Sequence, residues 1–375
     1  MNYFRIRQRF DTRQLADIAG TLAVGLKTQA IEPGARVALA VGSRGIANLP
    51  AIVLGVADWV RAQGAEPFIV PAMGSHAGAT AEGQRKLLES FGITGAPIVS
   101  SMEVVELAPG VFMDKAAAEA DGVIVINRVK PHTSFHGRYE SGLMKMIAVG
   151  LGKQTGAAAI HRLGIPGLRD EMPEVARQVL ATGKILFGVA LVENAYDETL
   201  AIKVTRRIPE DEPALLELAR ANMPSLPVEE LDLLIVDEIG KEISGTGMDT
   251  NVIGRLRIAG EAEPVRPRIE KIFVRDVRGD SAYGIGLADV TTRRLVARTD
   301  WSVTRTNVET SGFTLRGVIP PVVDADDEAV CGRRIARIKN TLHLETLIVS
   351  EAVRQEIEGR DTIEVLGPAN LWDEL

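Results

Sequence analysis

One cysteine, Cys331, stands in a chain of 375 residues. A lone cysteine forms no intrachain disulfide, and it rules out cysteine-based zinc and iron–sulfur centres as well. Aromatic residues are scarce, at 4%. A core built instead from Val, Ile, Leu and Ala suits a parallel sheet covered on both faces. Positive charge is not in excess: Lys+Arg number 43 against 50 Asp+Glu, a net charge of −7. That balance argues against a broad surface for nucleic acid or for an anionic membrane. No apolar run approaches the ~18 residues of a membrane span. The opening residues MNYFRIRQRF lack the apolar centre of a signal peptide, so a cytoplasmic location is expected. Histidines number only five, and with no cysteine cluster any metal must be held by histidine and carboxylate.

What remains is an ordinary globular composition, 46% hydrophobic and 25% charged. At ~150 residues per domain the length predicts two or three domains. Short buried strands are predicted at 36–41, 66–70, 122–127 and 184–192, with helices at 48–63, 80–91 and 172–182. Asn48 and Thr80 are the expected helix caps, with Pro50 in the first turn of the earlier helix. Strands alternating with helices of this length imply βαβ units. Two prolines and a polar cluster at 222–230 mark a linker. Beyond it, strands are predicted at 231–236, 271–274, 346–349 and 363–366, and a helix at 326–337. The expected architecture is two α/β domains, 1–226 and 227–375, with a cleft between them. The first is a mainly parallel sheet flanked by helices.

Four of the five histidines fall between His76 and His161, none inside a clean strand. His76 follows the strand ending near Val70. His132 and His136 follow the strand ending at Asn127. Arg44 follows strand 36–41. In an open α/β sheet the loops after strand carboxyl ends face the ligand crevice, so Arg44, His76 and His132 are offered to one rim. Lys145, in SGLMKMIAVGLG, has apolar neighbours on both sides. It must reach solvent, find a partner or lose its charge, and desolvation exposes a nucleophilic amine. Gly150-Leu151-Gly152-Lys153 looks like a phosphate loop but lacks the Walker A and dinucleotide-fingerprint residues: Ile147, Gln154 and Thr155 occupy the diagnostic positions. The Gly-rich stretch 244–251 reads as a loop bordering the cleft. His343 and Cys331 read as structural, and the acidic cluster Asp324, Asp326, Asp327 and Glu328 reads as a helix start.

Taken together, these segments resemble the nickel-pincer lactate racemase superfamily of 2-hydroxy-acid racemases and epimerases. The resemblance covers the stretch from about Val41 to His161 best. It rests on Arg44 after the first strand, the Gly74-Ser75-His76 loop, Pro131-His132, the Ser-Gly-x-x-Lys segment from Ser141 and Gly142 to Lys145, and His161 sixteen residues beyond that lysine. By that resemblance His76 and His132 are the catalytic bases. Lys145, Arg44, Ser141 and Gly142 hold the cofactor, and His161 binds the metal. The implied cofactor is a nickel-pincer nucleotide, a pyridinium mononucleotide with thioamide and thiocarboxylate arms, linked covalently to Lys145. The implied reaction is reversible transfer of the C2 hydride of a small 2-hydroxy acid, with one histidine serving each face. The implied partners are the substrate and cofactor-maturation proteins; protein made without the latter is an apo form. Gly142-Leu143-Met144 replaces the Gly-Gly-Ala of the lactate enzymes, and Val41 replaces an Asp. Both departures point toward a larger or differently charged 2-hydroxy acid. Asn251, Arg255 and Arg257 are further contact candidates by position. Two other readings stand beside this one: a cofactor-independent two-base epimerase, and a non-catalytic binder of acids or nucleotides.

Overall fold

The computed structural model describes residues 1–42, 45–93 and 95–375. The chain divides into two compact units, Thr12–Met223 and a second made of Met1–Asp11 with Pro224–Leu375. Each is an α/β structure with a largely parallel sheet. The break at 223/224 falls inside the expected linker. A division at 226 did not anticipate that the first eleven residues belong with the second unit.

In the unit Thr12–Met223 the described sheet runs Glu66–Pro71, Arg36–Val41, Gly122–Arg128, Ile185–Glu193, Thr199–Thr205. The first four strands are parallel and the last is antiparallel. Chain order across this sheet is therefore 2-1-3-4-5, which places a topological switch point between Arg36–Val41 and Gly122–Arg128. Five of the six residues in Arg36–Val41 are buried, the mark of a strand covered on both faces. Val37, Leu39, Val41, Ile124, Ile126, Val189 and Leu191 form one core with Ile52, Val53, Val56 and Val60 of helix Leu49–Ala62. Trp59 meets Phe187 edge to face at 5.7 Å. The helix Ala81–Ser90 starts as expected, with the Thr80 side chain accepting from Gly83 N–H. Asn48 does not cap its helix. Its backbone is left-handed at φ 59°, and its amide donates instead to Thr199 Oγ1 at 3.0 Å.

The second unit holds an eight-stranded described sheet in the order Val322–Val323, Val290–Thr292, Arg268–Val277, Glu230–Ile239, Ile335–Ile338, Thr346–Ser350, Tyr3–Gln8, Ile363–Ala369. The first five strands are parallel, and the remaining three join antiparallel. The helix expected at 326–337 is not there. A short turn of 3-10 helix covers Asp326–Ala329, and Ile335–Ile338 is a strand paired with Glu230–Ile239. Gly332 has a left-handed φ of 84°, and Asp232 accepts the next two backbone N–H groups, of Arg333 and Arg334, which turns the chain into the sheet. The acidic cluster is consumed by partners: Asp324 by Arg293, Asp326 by Arg275, and Asp327 by the Trp372 indole. Arg255 and Arg257 both pair with Asp289 at 2.5 Å, a structural use of two residues considered above as contact candidates. No described helix is long and apolar enough to cross a membrane.

Candidate functional site

The loops that follow the carboxyl ends of the parallel strands carry the candidate side chains. Gly42 follows the first strand, and a Cβ placed on it would stand 2.6 Å from Asn127 Oδ1 and 3.1 Å from Met146 Cε. Arg44, two residues on, lies outside the described residues. Asn127, near the end of strand Gly122–Arg128, donates to the Gly142 carbonyl at 3.1 Å. Ser141 exchanges backbone hydrogen bonds with Lys130. These contacts bring the segment with Lys145 to the switch point of the sheet.

Lys145 ends the helical turn Leu143–Lys145, which runs directly into a π-helical turn at Met146–Gly150. Turns of that kind recur at functional sites. His76 lies on the loop after strand Glu66–Pro71, and this loop abuts the same helical segment: Gly74 N–H donates to the Gly150 carbonyl at 3.1 Å. Gln84 fixes the loop from the other side, donating to the Gly74 carbonyl at 2.9 Å.

His132 and Lys145 are both half-buried and stand together, Nζ to Nε2 at 2.6 Å. Ser134 N–H approaches the other ring nitrogen, Nδ1, at 3.0 Å, so the ring is held from both sides. The contact fixes the Lys145 amine beside an imidazole, and a lysine in its deprotonated form is a nucleophile.

His161 ends helix Lys153–His161. Crowding around the ring, and secondarily the charge of an ammonium at Lys145, lower its pKa from 6.5 to about 4. The residue keeps an exposed surface, so water reaches the ring and tempers the shift without reversing it. At neutral pH His161 is an uncharged imidazole with a lone pair to offer, the state a metal requires.

The loop bearing His132 is organised by Glu140, which is fully buried. Its carboxylate accepts from His132 N–H at 2.6 Å and Gly137 N–H at 3.1 Å, and it pairs with Arg220. His136 is exposed and approaches the same carboxylate at 3.3 Å, a place in the loop scaffold rather than beside Lys145. Lys153 is not a phosphate ligand. It is fully buried, 3.0 Å from Asp114, and donates to the Pro71 carbonyl and to Gln84. Burial lowers its pKa against the opposing pull of Asp114. Replacing Asp114 with alanine strands a buried ammonium, so chemical denaturation should show a loss of ~3–5 kcal/mol. A loss below ~1 kcal/mol would mean that Lys153 escapes to water.

Sequence reading missed Glu212. It lies in helix Ile208–Asn222, is 1% exposed, and accepts from Met144 N–H at 2.9 Å, capping the turn that carries Lys145. Its signal was a carboxylate four residues after Ile208 and four before Leu216, on the apolar face of a helix. A Cβ on Gly142 would stand 2.4 Å from Glu212 Oε1, so only glycine permits this approach. Desolvation pushes the Glu212 carboxyl up to about 7, against the N–H groups of Met144 and Leu143, which lower it. Because the folded value exceeds the ordinary 4.5, the unfolded chain releases its proton first as pH rises. This contribution to stability is full below about pH 4.5 and is lost as pH climbs to about 7, ~3 kcal/mol in all. Denaturation midpoints should fall over that window in the wild type and fall less in Glu212→Gln. Equal slopes in the two proteins would contradict a raised Glu212.

Among the described residues no group of three or more His, Cys, Asp or Glu is placed to hold a metal ion. No family model matches this chain, and no curated protein matches it. Among solved structures it is similar to the lactate racemase apoprotein from Thermoanaerobacterium thermosaccharolyticum, at 14% identity over 72% of this chain and 69% of that one, with a TM-score of 0.46. The likeness is one of fold and assigns no residue a role.

Proposed function

We propose that this chain is a racemase or epimerase of a small 2-hydroxy acid, working with a nickel-pincer nucleotide joined covalently to Lys145. The observation that carries the reading is the 2.6 Å contact between Lys145 and His132. It places a proton carrier beside the amine to which the cofactor would be attached. His161 fits the role of the single protein ligand to nickel, as a neutral imidazole. When bound, the cofactor supplies a reversible acceptor for the substrate C2 hydride.

The chain's own residues bind, orient and move protons. His132 takes the hydroxyl proton as C2 is oxidised and returns it on reduction; His76 does the same for the opposite face. A neutral imidazole suits both directions near neutral pH. Arg44, Ser141 and Gly142 belong to the cofactor-holding segments, with Gly142 kept small by its approach to Glu212. Met144 and Leu143 line the turn where the lactate enzymes carry smaller residues, in keeping with a substrate other than lactate. The test is intact and peptide mass spectrometry of protein produced alongside cofactor-maturation proteins. A covalent mass gain on the Lys145 peptide is expected. Loaded, active protein with no adduct at Lys145 would overturn the reading.

A further inference from the structure

Helix Ile208–Asn222 grips the segment between His132 and Lys145 at three places. Tyr139 donates its hydroxyl proton to the Pro209 carbonyl at 2.8 Å. Glu212 accepts from Met144 N–H at 2.9 Å, one residue before Lys145. Arg220 pairs with the buried carboxylate of Glu140, which in turn accepts the backbone N–H of His132 at 2.6 Å. Glu212 and Arg220 are eight residues apart, about 12 Å along the helix axis. A single rigid element therefore fixes Lys145 from one of its turns and His132 from another.

A simple structural account leaves one choice unexplained. A helix start can be capped by Ser, Thr or Asn at little cost. Here a carboxyl is buried for the purpose, with Glu212 Oε1 making no hydrogen bond among the described residues. Burying such a group is unfavourable. What the longer side chain adds is reach: the cap comes from a different helix, so the position of the Lys145 turn is tied to that helix and not to its own loop. Arg220, shared between Glu140 and Glu217, does the equivalent for the His132 loop.

We propose that Glu212 and Arg220 are positioning residues that together set the hydrogen bond between Lys145 and His132, and so keep the Lys145 amine reactive. The proposal rests on the functional reading above in treating Lys145 as the reactive amine, but its test needs neither cofactor nor substrate. The apo protein is exposed at pH 7.5 to trace acetic anhydride, and peptide mass spectrometry gives the acetylation of Lys145 relative to Lys27, an exposed lysine of the same unit. Losing a hydrogen bond of this kind is worth ~10-fold. Glu212→Ala and Arg220→Met should each lower the Lys145/Lys27 ratio by that factor. Glu212→Gln, isosteric with the protonated acid and still able to accept from Met144 N–H, should stay within about twofold of wild type. That rescue separates positioning from bulk stability. If Glu212→Ala fails to fold, Glu212→Gln and Arg220→Met still decide the matter: a normal ratio in the first and a lowered one in the second are required. An unchanged ratio in folded Glu212→Ala or Arg220→Met overturns the proposal. So does a ratio in Glu212→Gln as low as in Glu212→Ala. If the ratios fall as expected while Lys145→Ala keeps full turnover, the positioning stands and the functional reading fails.

Discussion

Lys145→Ala is expected to give a folded protein that gains no covalent mass from the cofactor and shows no turnover above background. Lys145 is half-buried at the site beside His132, and the loss should fall on chemistry more than on stability. Lys145→Arg is the more telling variant. A guanidinium stays protonated at every accessible pH and has no lone pair. It cannot form the amide-like link that the amine forms. The positive charge is preserved, yet activity should be as low as in the alanine variant. Turnover of Lys145→Arg within ~10-fold of wild type would show that only charge matters there, and the covalent role would fall.

His132→Ala and His76→Ala should each slow the reaction ~10²–10⁴-fold, about 3–5 kcal/mol of barrier, because each removes the proton carrier for one face. His136→Ala should cost far less, since His136 is exposed and touches the Glu140 carboxylate of the loop scaffold. The same pair of histidines could instead remove the C2 hydrogen as a proton, and solvent isotope separates the two chemistries. Hydride chemistry keeps the C2 hydrogen away from water, so substrate turned over in D₂O should gain little deuterium at C2 in early turnover. Histidine N–H groups exchange with solvent, so direct proton abstraction would carry deuterium in rapidly. Rapid incorporation together with an active Lys145→Ala would leave two-base proton exchange as the better account.

Much of the first unit was legible because its signals are local. The buried run Arg36–Val41 and the Thr80 cap depend on a few adjacent residues, and the rule that ligand loops follow strand ends needs only the strand order. That rule placed His76 and His132 on loops after strands Glu66–Pro71 and Gly122–Arg128, and the apolar surroundings of Lys145 marked it as unusual. The contact between Lys145 and His132 spans thirteen positions, and the sequence could suggest it only through resemblance. The partners of Glu212 and Arg220 were hidden for the same reason on a larger scale, since each acts on a residue 68 to 80 positions away. The failed helix at 326–337 shows the opposite hazard. Its composition suits a helix, but Gly332 and the distant Asp232 redirect it into a sheet, and tertiary pairing outweighs local propensity.

The strand Tyr3–Gln8 lies between Thr346–Ser350 and Ile363–Ala369, hydrogen-bonded on both sides. On the ribosome this strand emerges ~340 residues ahead of its neighbours, roughly 20–70 s at ordinary elongation rates. For all that time it is an unpaired edge, the kind of surface that invites wrong pairing. The unit Thr12–Met223 is complete long before, and can fold while Tyr3–Gln8 still waits for the later strands of its own unit. The charged pattern of that strand, with Arg5 and Arg7 alternating against Phe4 and Ile6, is what a segment needs to stay solvated until its neighbours arrive.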